Sequence, residues 1–163
     1  MILKPNSSEN SDTTLHLGYL YFLFIAQESV IGGCLIVDRD GFPQDFRYSL
    51  ATHPEPLQKA LYGQCLQPYL IESMTTSLVS ELVCTPSLFL TNYRYSYSPE
   101  SMPFPIFYLD LSDPEQRKTL ALNEMPLEPP AANYTDEIKF SSEEPFARLE
   151  EALTLLREDK SES

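Results

Sequence analysis

The sequence predicts an α+β fold: an antiparallel β-meander of three strands, then a helix, one or two further strands and a C-terminal helix. Three observations predict it. Aromatic and aliphatic residues broken by short turns dominate residues 15–50. Apolar residues recur at helical spacing in residues 70–82 and again in residues 146–156. Strands joined by turns of only a few residues have to run antiparallel.

Each element of the meander has its own signal. Residues 15–26, rich in Tyr, Phe, Leu and Ile, predict the first strand. Residues 30–37 predict a second strand that is apolar on both faces and therefore needs cover on both sides. Residues 38–41, Asp-Arg-Asp-Gly, supply a tight turn. Residues 44–50 alternate between apolar and polar side chains, which predicts a third strand with one solvated face.

Helices and two more strands follow. Pro56 suits the start of a short helix that ends at Gly63, and Pro68 suits the first turn of a longer one. Residues 87–92 and 105–111 predict a fourth and a fifth strand. The apolar stripe of the longer helix consists of Leu70, Met74, Leu78 and Leu82.

Charge and proline content divide the chain. Seven of the 14 prolines lie from Pro99 to Pro130, and residues 98–163 carry 15 of the 24 acidic side chains. We therefore expect a long acidic connector between a folded domain and a terminal helix. The predicted parts are a disordered segment (1–13), an α+β domain (14–111), a Pro-rich acidic connector (112–140), an amphipathic helix (141–158) and a disordered tail (159–163).

Ser141 and Glu144 predict a capping box at the start of the C-terminal helix. Its stripe either docks on the domain's own sheet or binds a partner protein or a second copy of the chain. The four residues of the stripe are Phe146, Leu149, Leu153 and Leu156.

Composition restricts the function. The formal net charge of −13 argues against nucleic acid and anionic membranes as partners, because both need clustered Lys and Arg. The longest apolar run has ten residues, whereas a membrane span needs roughly 20. The start of the chain lacks the pattern of a secretory signal, which predicts a cytoplasmic protein. Three cysteines at wide spacing predict buried thiols, with neither a disulfide framework nor a metal site.

One motif has a catalytic interpretation. The strand that ends in Asp38-Arg39-Asp40-Gly41 resembles the first motif of the haloacid-dehalogenase phosphatases. The resemblance implies a magnesium-dependent phosphatase with Asp38 as nucleophile, Asp40 as general acid/base and Thr91 on the phosphate. It also implies a magnesium site at Asp38, Asp110 and Asp113. That family needs parallel strands joined by crossovers, whereas three residues between the first two predicted strands demand a hairpin.

Tyr93, Tyr95 and Tyr97 alternate with polar residues, which places three phenol rings on one face if the segment is extended. Such a row suits protein recognition, because aromatic side chains bury a large area at little cost in entropy. An extension of the fourth strand that packs on the helical tail is the alternative interpretation.

The chain resembles three groups of known proteins. Residues 18–50, with Ala-Gln-Glu-Ser-Val-Ile-Gly-Gly at their centre, resemble conserved hypothetical bacterial proteins to which no activity is attached. The order of strands and helices loosely resembles class I type III secretion chaperones, which are small, acidic, dimeric and non-enzymatic. The ribonuclease H-like fold also opens with three antiparallel strands before a helix. Its first strand normally carries a metal-binding acid and residues 15–26 carry none, so this likeness implies an inactive fold.

The sequence therefore predicts a non-enzymatic, cytoplasmic interaction module, an adaptor or chaperone-like protein without a cofactor or metal. Its expected partner is a protein or a second copy of the chain, with no nucleic acid and no membrane. The partner-binding residues are predicted to be the three tyrosines and the stripe of the C-terminal helix. The alternatives are the magnesium-dependent phosphatase and the inactive ribonuclease H-like fold.

Overall fold

The computed structural model describes residues 15–26, 29–49, 54–112, 119–127, 132 and 134–162. Its elements are β1 (His16–Ala26), β2 (Ser29–Asp38), β3 (Pro43–Ser49), α1 (Pro56–Tyr62), a 3-10 turn (Gly63–Cys65), α2 (Leu66–Ser80), β4 (Leu88–Thr91), β5 (Ile106–Leu109), β6 (Thr119–Ala121), α3 (Tyr134–Glu137) and α4 (Glu144–Glu162). The predicted α+β class, with a meander, a helix and a C-terminal helix, is confirmed. The two segments predicted to be disordered, 1–13 and 159–163, lie outside the described residues except for the end of α4.

Six strands form one mixed sheet in the order β3-β2-β1-β4-β5-β6. β1 and β2, β2 and β3, and β5 and β6 pair antiparallel, whereas β1 and β4, and β4 and β5, pair parallel. The predicted meander is therefore present, and three strands follow the helix where one or two were expected. The additional strand, β6, lies in the range predicted as a connector, where no alternating pattern marks its three exposed residues.

Helices cover both faces of the sheet. On one face, α2 packs Leu70, Ile71, Met74 and Leu78 against alternate residues of β1 and β2. On the other face, α4 packs against the intervening residues of β1 and β2, whose side chains point away from α2. Nine of the ten residues of β2 are buried, as expected for a strand that is apolar on both sides.

The stripe of the C-terminal helix lies in the protein's own core. Phe146, Leu149 and Leu153 are at most 2% exposed, and Leu156 is half-buried beside them. A Cβ on Gly33 of β2 would lie 3.0 Å from a methyl group of Leu153, so the helix approaches the strand closely. Of the two uses that the sequence left open, the structure has the helix docked on its own sheet, where these side chains are not available to a partner.

The capping box predicted at Ser141 and Glu144 takes a different form. The N–H of Glu144 donates to the backbone oxygen of Ser141 at 3.0 Å. The carboxylate of Glu144 binds the guanidinium of Arg148 one turn later, at 2.7 to 3.0 Å. An arginine at i+4 competes for the carboxylate that a capping box would use.

No helix in the described ranges is long and apolar enough to cross a membrane.

Candidate ligand site at the carboxyl ends of the parallel strands

The Asp-Arg-Asp-Gly motif is a structural turn. One carboxylate oxygen of Asp38 accepts from the backbone N–H groups of Asp40 (3.0 Å) and Phe42 (2.9 Å), which closes the connection from β2 to β3. Gly41 takes a φ of +92°, which glycine adopts without strain. Because β2 runs antiparallel to both of its neighbours, the phosphatase interpretation of Asp38 and Asp40 is wrong.

The other residues of that interpretation do not join the turn. Asp38 lies opposite His16, whereas Thr91 lies opposite Leu20, four residues or about 13 Å further along β1. The carboxylate of Asp110 accepts from the N–H and the hydroxyl of Ser112. Asp113 lies outside the described residues. Among those described, no group of three or more His, Cys, Asp or Glu side chains could hold a metal ion.

The topology indicates a ligand site at the end of the sheet opposite the Asp38 turn. From β1 the chain passes to β2 and β3 on one side, and from β4 to β5 and β6 on the other. The strand order therefore reverses between β1 and β4. In open sheets with parallel strands, ligands bind outside the carboxyl ends of the strands at such a reversal. Phe24 and Asn92 lie at this end.

A row of aromatic rings leads from the surface into this end of the core. Phe24 lies 5.7 Å from Tyr93, Tyr93 lies 6.4 Å from Tyr95, and Tyr95 lies 5.0 Å from Tyr97, measured between ring centroids. Phe24 is 40% exposed and Tyr97 only 4%. The alternating tyrosines thus contact one another, although residues 92–98 form no strand and the predicted extension of β4 is absent.

A cavity of about 250 Å³ opens beside Phe24. The hydroxyl of Tyr93 donates to the side-chain oxygen of Gln67 at 3.2 Å, which ties the aromatic row to the cavity wall. Among the residues that the structure describes, no charged side chain lines the cavity. Its lining consists of Phe24, Ser29, Val30, Gly63, Gln64, Leu66, Gln67 and Leu70.

The loop that carries the tyrosines is attached to α2 through Glu72. The hydroxyl of Ser98 donates to the Glu72 carboxylate at 2.6 Å, and the hydroxyl of Ser101 donates to the same oxygen. Burial alone would raise the pKa of Glu72, but hydrogen bonds from Ser101, Ser98 and Tyr95 outweigh it and lower the pKa. Burial and the bond to Glu72 raise the pKa of Tyr95 to about 12. The described part of the site is therefore uncharged except for a carboxylate held behind its loop.

The tyrosines were predicted as functional from their spacing, whereas Gln64, Gln67, Glu72 and Asn92 were not. Single polar residues on a helix or after a strand carry no periodic signal, so only their tertiary neighbours distinguish them. The cysteines also needed the structure. Cys34 is buried and Cys84 half-buried, but Cys65 is exposed, which corrects the prediction of three buried thiols.

No family model matches the chain. No curated protein matches it either. Among solved structures, the chain is similar to endonuclease V from Bacillus subtilis, with 11% identity over 61% of this chain and a TM-score of 0.41. It is also similar to Ciona intestinalis endonuclease V in complex with a 23mer DNA containing an inosine followed by a ribo-adenosine, with 9% identity over 66% of this chain and a TM-score of 0.39. The matched regions span 45% and 50% of those two chains.

Three predictions are corrected here: a non-enzymatic adaptor, a chaperone-like character and the exclusion of nucleic acid. The finding against them is that both similar structures are endonucleases and that one contains DNA. The correction extends no further, since likeness at such low identity and TM-scores gives this chain no activity, substrate or partner. The resemblance to conserved hypothetical bacterial proteins stays a prediction.

Proposed function

We propose that this protein binds a nucleobase, presented either by a free nucleoside or by an unpaired base of a strand, in the cavity beside Phe24. The observation that carries the proposal is the combination of an exposed aromatic ring with the amides of Gln64 and Gln67 around a small cavity whose described lining is uncharged. The cavity also lies at the carboxyl end of β1, the strand on one side of the point where the strand order reverses, and such reversals are the usual place for a ligand in a sheet of this kind.

The exposed ring of Phe24 offers a nucleobase a surface on which to stack. A nucleobase presents a flat π-face, and stacking on an aromatic side chain contributes about 1–3 kcal/mol per base. Phe24 is 40% exposed, and its ring contacts that of Tyr93 with the ring centroids 5.7 Å apart. The ring is therefore available to a ligand and is held in place without one.

Two glutamine amides on the cavity wall can form hydrogen bonds with the edge of a base. A glutamine amide offers a donor and an acceptor side by side, which matches the edge of a base. The oxygen of Gln67 already accepts from Tyr93, so its nitrogen is the group that would meet a ligand. The amide of Gln64 adds a second donor and acceptor on the cavity wall.

The lack of positive charge in the described lining favours an uncharged nucleoside over a phosphorylated one. Without Lys or Arg among its described lining residues, the cavity gives no specific site for a phosphate, and the net charge of −13 disfavours one. We therefore expect a nucleoside to bind at least as tightly as its monophosphate, with little dependence on salt.

Titrations followed by tyrosine fluorescence test the proposal, since the chain has ten tyrosines and no tryptophan. The probes are adenosine, guanosine, cytidine, adenosine monophosphate, and an oligonucleotide with or without one abasic position. Saturable binding of a nucleoside supports a free ligand, and binding of the intact oligonucleotide alone supports an unpaired base. Absence of binding by every probe at millimolar concentration contradicts the proposal.

Two variants locate the site. Phe24→Ala removes the stacking ring and is expected to weaken binding about tenfold or more. Phe46→Ala is the matched control, because Phe46 is 37% exposed on β3, away from the cavity. Equal losses in the two variants would place the ligand elsewhere.

We also propose that the protein works in the cytoplasm. Its three cysteines are free and Cys65 is exposed, which suits a reducing compartment. Cell fractionation of the tagged protein tests this, and recovery of the protein outside the cytoplasm would contradict it.

A further inference from the structure

The loop of residues 93–102 depends on hydroxyl groups for its attachment to α2. Residues 93–98 belong to no helix or strand. The carboxylate of Glu72 accepts from Ser98 and Ser101, and Ser101 also contacts the hydroxyl of Thr76 at 2.7 Å. Ser101 is only 5% exposed, so this attachment is partly shielded from water.

The same loop carries the tyrosine that contacts the cavity wall. Tyr93 stands two residues before Tyr95, and its hydroxyl donates to Gln67 while its ring contacts Phe24. Glu72 and Gln67 both lie on α2, five residues apart, so one helix holds both the anchor of the loop and the residue that Tyr93 binds. Any movement of the loop away from Glu72 would therefore move Tyr93 relative to the cavity.

We infer that Glu72 is a positioning residue that sets the affinity of the cavity by clamping the tyrosine loop onto α2. This inference rests on the proposed function. Glu72 does not line the cavity. It acts through Ser98 and Ser101, which hold the loop so that Tyr93 stays against Gln67 and Phe24. A carboxylate suits the role, because its two oxygens accept several hydroxyl donors at once.

Limited proteolysis measures how firmly Glu72 holds the loop of residues 93–102 on α2, and it needs no ligand. Trypsin cleaves after Arg94, which is exposed in the middle of the loop. We expect Glu72→Ala to raise the rate of cleavage at Arg94 about tenfold, because it removes hydrogen bonds to a charged group. Glu72→Gln keeps an acceptor oxygen and should fall in between. Glu81→Ala, at the end of α2, is the matched control and should cleave like the wild type.

Cleavage after Arg47 in β3 reports global opening in the same digests. A rise at Arg94 with no rise at Arg47 supports the clamp. An unchanged rate at Arg94 in Glu72→Ala, or an equal rise at both positions, overturns it.

Titration with adenosine then tests the link to the cavity. We expect Glu72→Ala to weaken adenosine binding about tenfold in the wild-type background. In a Tyr93→Phe background it should weaken binding hardly at all, because both changes act through the contact between Tyr93 and Gln67. If the wild type binds adenosine and Glu72→Ala binds it equally well, the inference fails and the proposed function stands. If the wild type binds no probe, the proposed function fails, and the inference fails with it, even where proteolysis shows the clamp.

Discussion

The side-chain amide of Asn92 pairs with the backbone of Phe22 through two hydrogen bonds. Its oxygen accepts from the N–H of Phe22 at 2.9 Å, and its nitrogen donates to the carbonyl oxygen of Phe22 at 3.0 Å. β4 ends at Thr91, so the amide continues the parallel pairing of β1 and β4 by one step. It satisfies two backbone groups of Phe22 where the strand order reverses, and it fixes the start of the tyrosine loop.

We therefore expect Asn92→Ala to lower the free energy of unfolding by about 1–3 kcal/mol, because it leaves two partly buried backbone groups of Phe22 without a partner. Asn92→Asp keeps the acceptor for the N–H of Phe22 but turns a carboxylate oxygen toward the carbonyl oxygen of Phe22 at neutral pH, so its loss in denaturant unfolding should be at least as large. A change of less than about 0.5 kcal/mol in Asn92→Ala would show that water replaces both bonds.

Arg148 joins α4 to the turn after β2. Its guanidinium donates to the carbonyl oxygen of Gly41 at 2.6 Å and binds the carboxylate of Glu144. The bond to Gly41 is partly buried and charge-assisted, and such bonds contribute about 1.5–3 kcal/mol. The pair with Glu144 is largely exposed and of the i,i+4 type, which contributes about 0.3–0.5 kcal/mol.

Arg148→Ala should therefore destabilise the protein clearly more than Glu144→Ala in the same thermal or denaturant unfolding experiment. Equal losses in the two variants would mean that the exposed ion pair, and not the bond to Gly41, is the main contribution of Arg148.

The stability of the protein should depend on pH through Glu72. Its pKa is lowered from the ordinary value of 4.5, because burial, which would raise it, is outweighed by the hydroxyl donors. A carboxylate with a lowered folded pKa contributes stability above its unfolded pKa, and this is lost as the pH falls through the folded pKa. The difference in free energy of unfolding between the wild type and Glu72→Gln should thus be largest above pH 4.5 and shrink below it. A difference that stays constant down to about pH 3 would show that the charge of Glu72 is not involved.

The three thiols should react in a fixed order with an aromatic disulfide reagent. Cys65 is exposed and should react first, Cys84 is half-buried and should follow, and Cys34 should react only on unfolding. Burial raises the pKa of the Cys34 thiol, which further reduces its thiolate fraction. Cys65→Ser should remove the fast phase and nothing else. A fast phase of more than one thiol in the wild type would contradict the described burial.

The elements of the fold were predictable to the extent that they carry a repeating pattern. The stripes of α2 and α4 are predictable because a buried helix face repeats at the helical period, and β2 is predictable because a strand buried on both faces is a continuous apolar run. β6 was missed since three exposed residues show no period. The candidate site was half predictable: the tyrosines alternate, but Gln67 and Glu72 are single polar residues whose partners lie 26 to 29 positions away.

The sequence alone determined that this chain opens as antiparallel ribbons, that Asp38 to Gly41 form a turn, and that two helices bury apolar stripes, since short-range pattern and turn chemistry suffice for each. Only the tertiary structure decided that β4 pairs parallel with β1, that α4 covers its own sheet, and that Tyr93 meets Gln67 beside a cavity. Those outcomes depend on contacts between residues far apart in the chain, and no local pattern specifies which distant surfaces will meet.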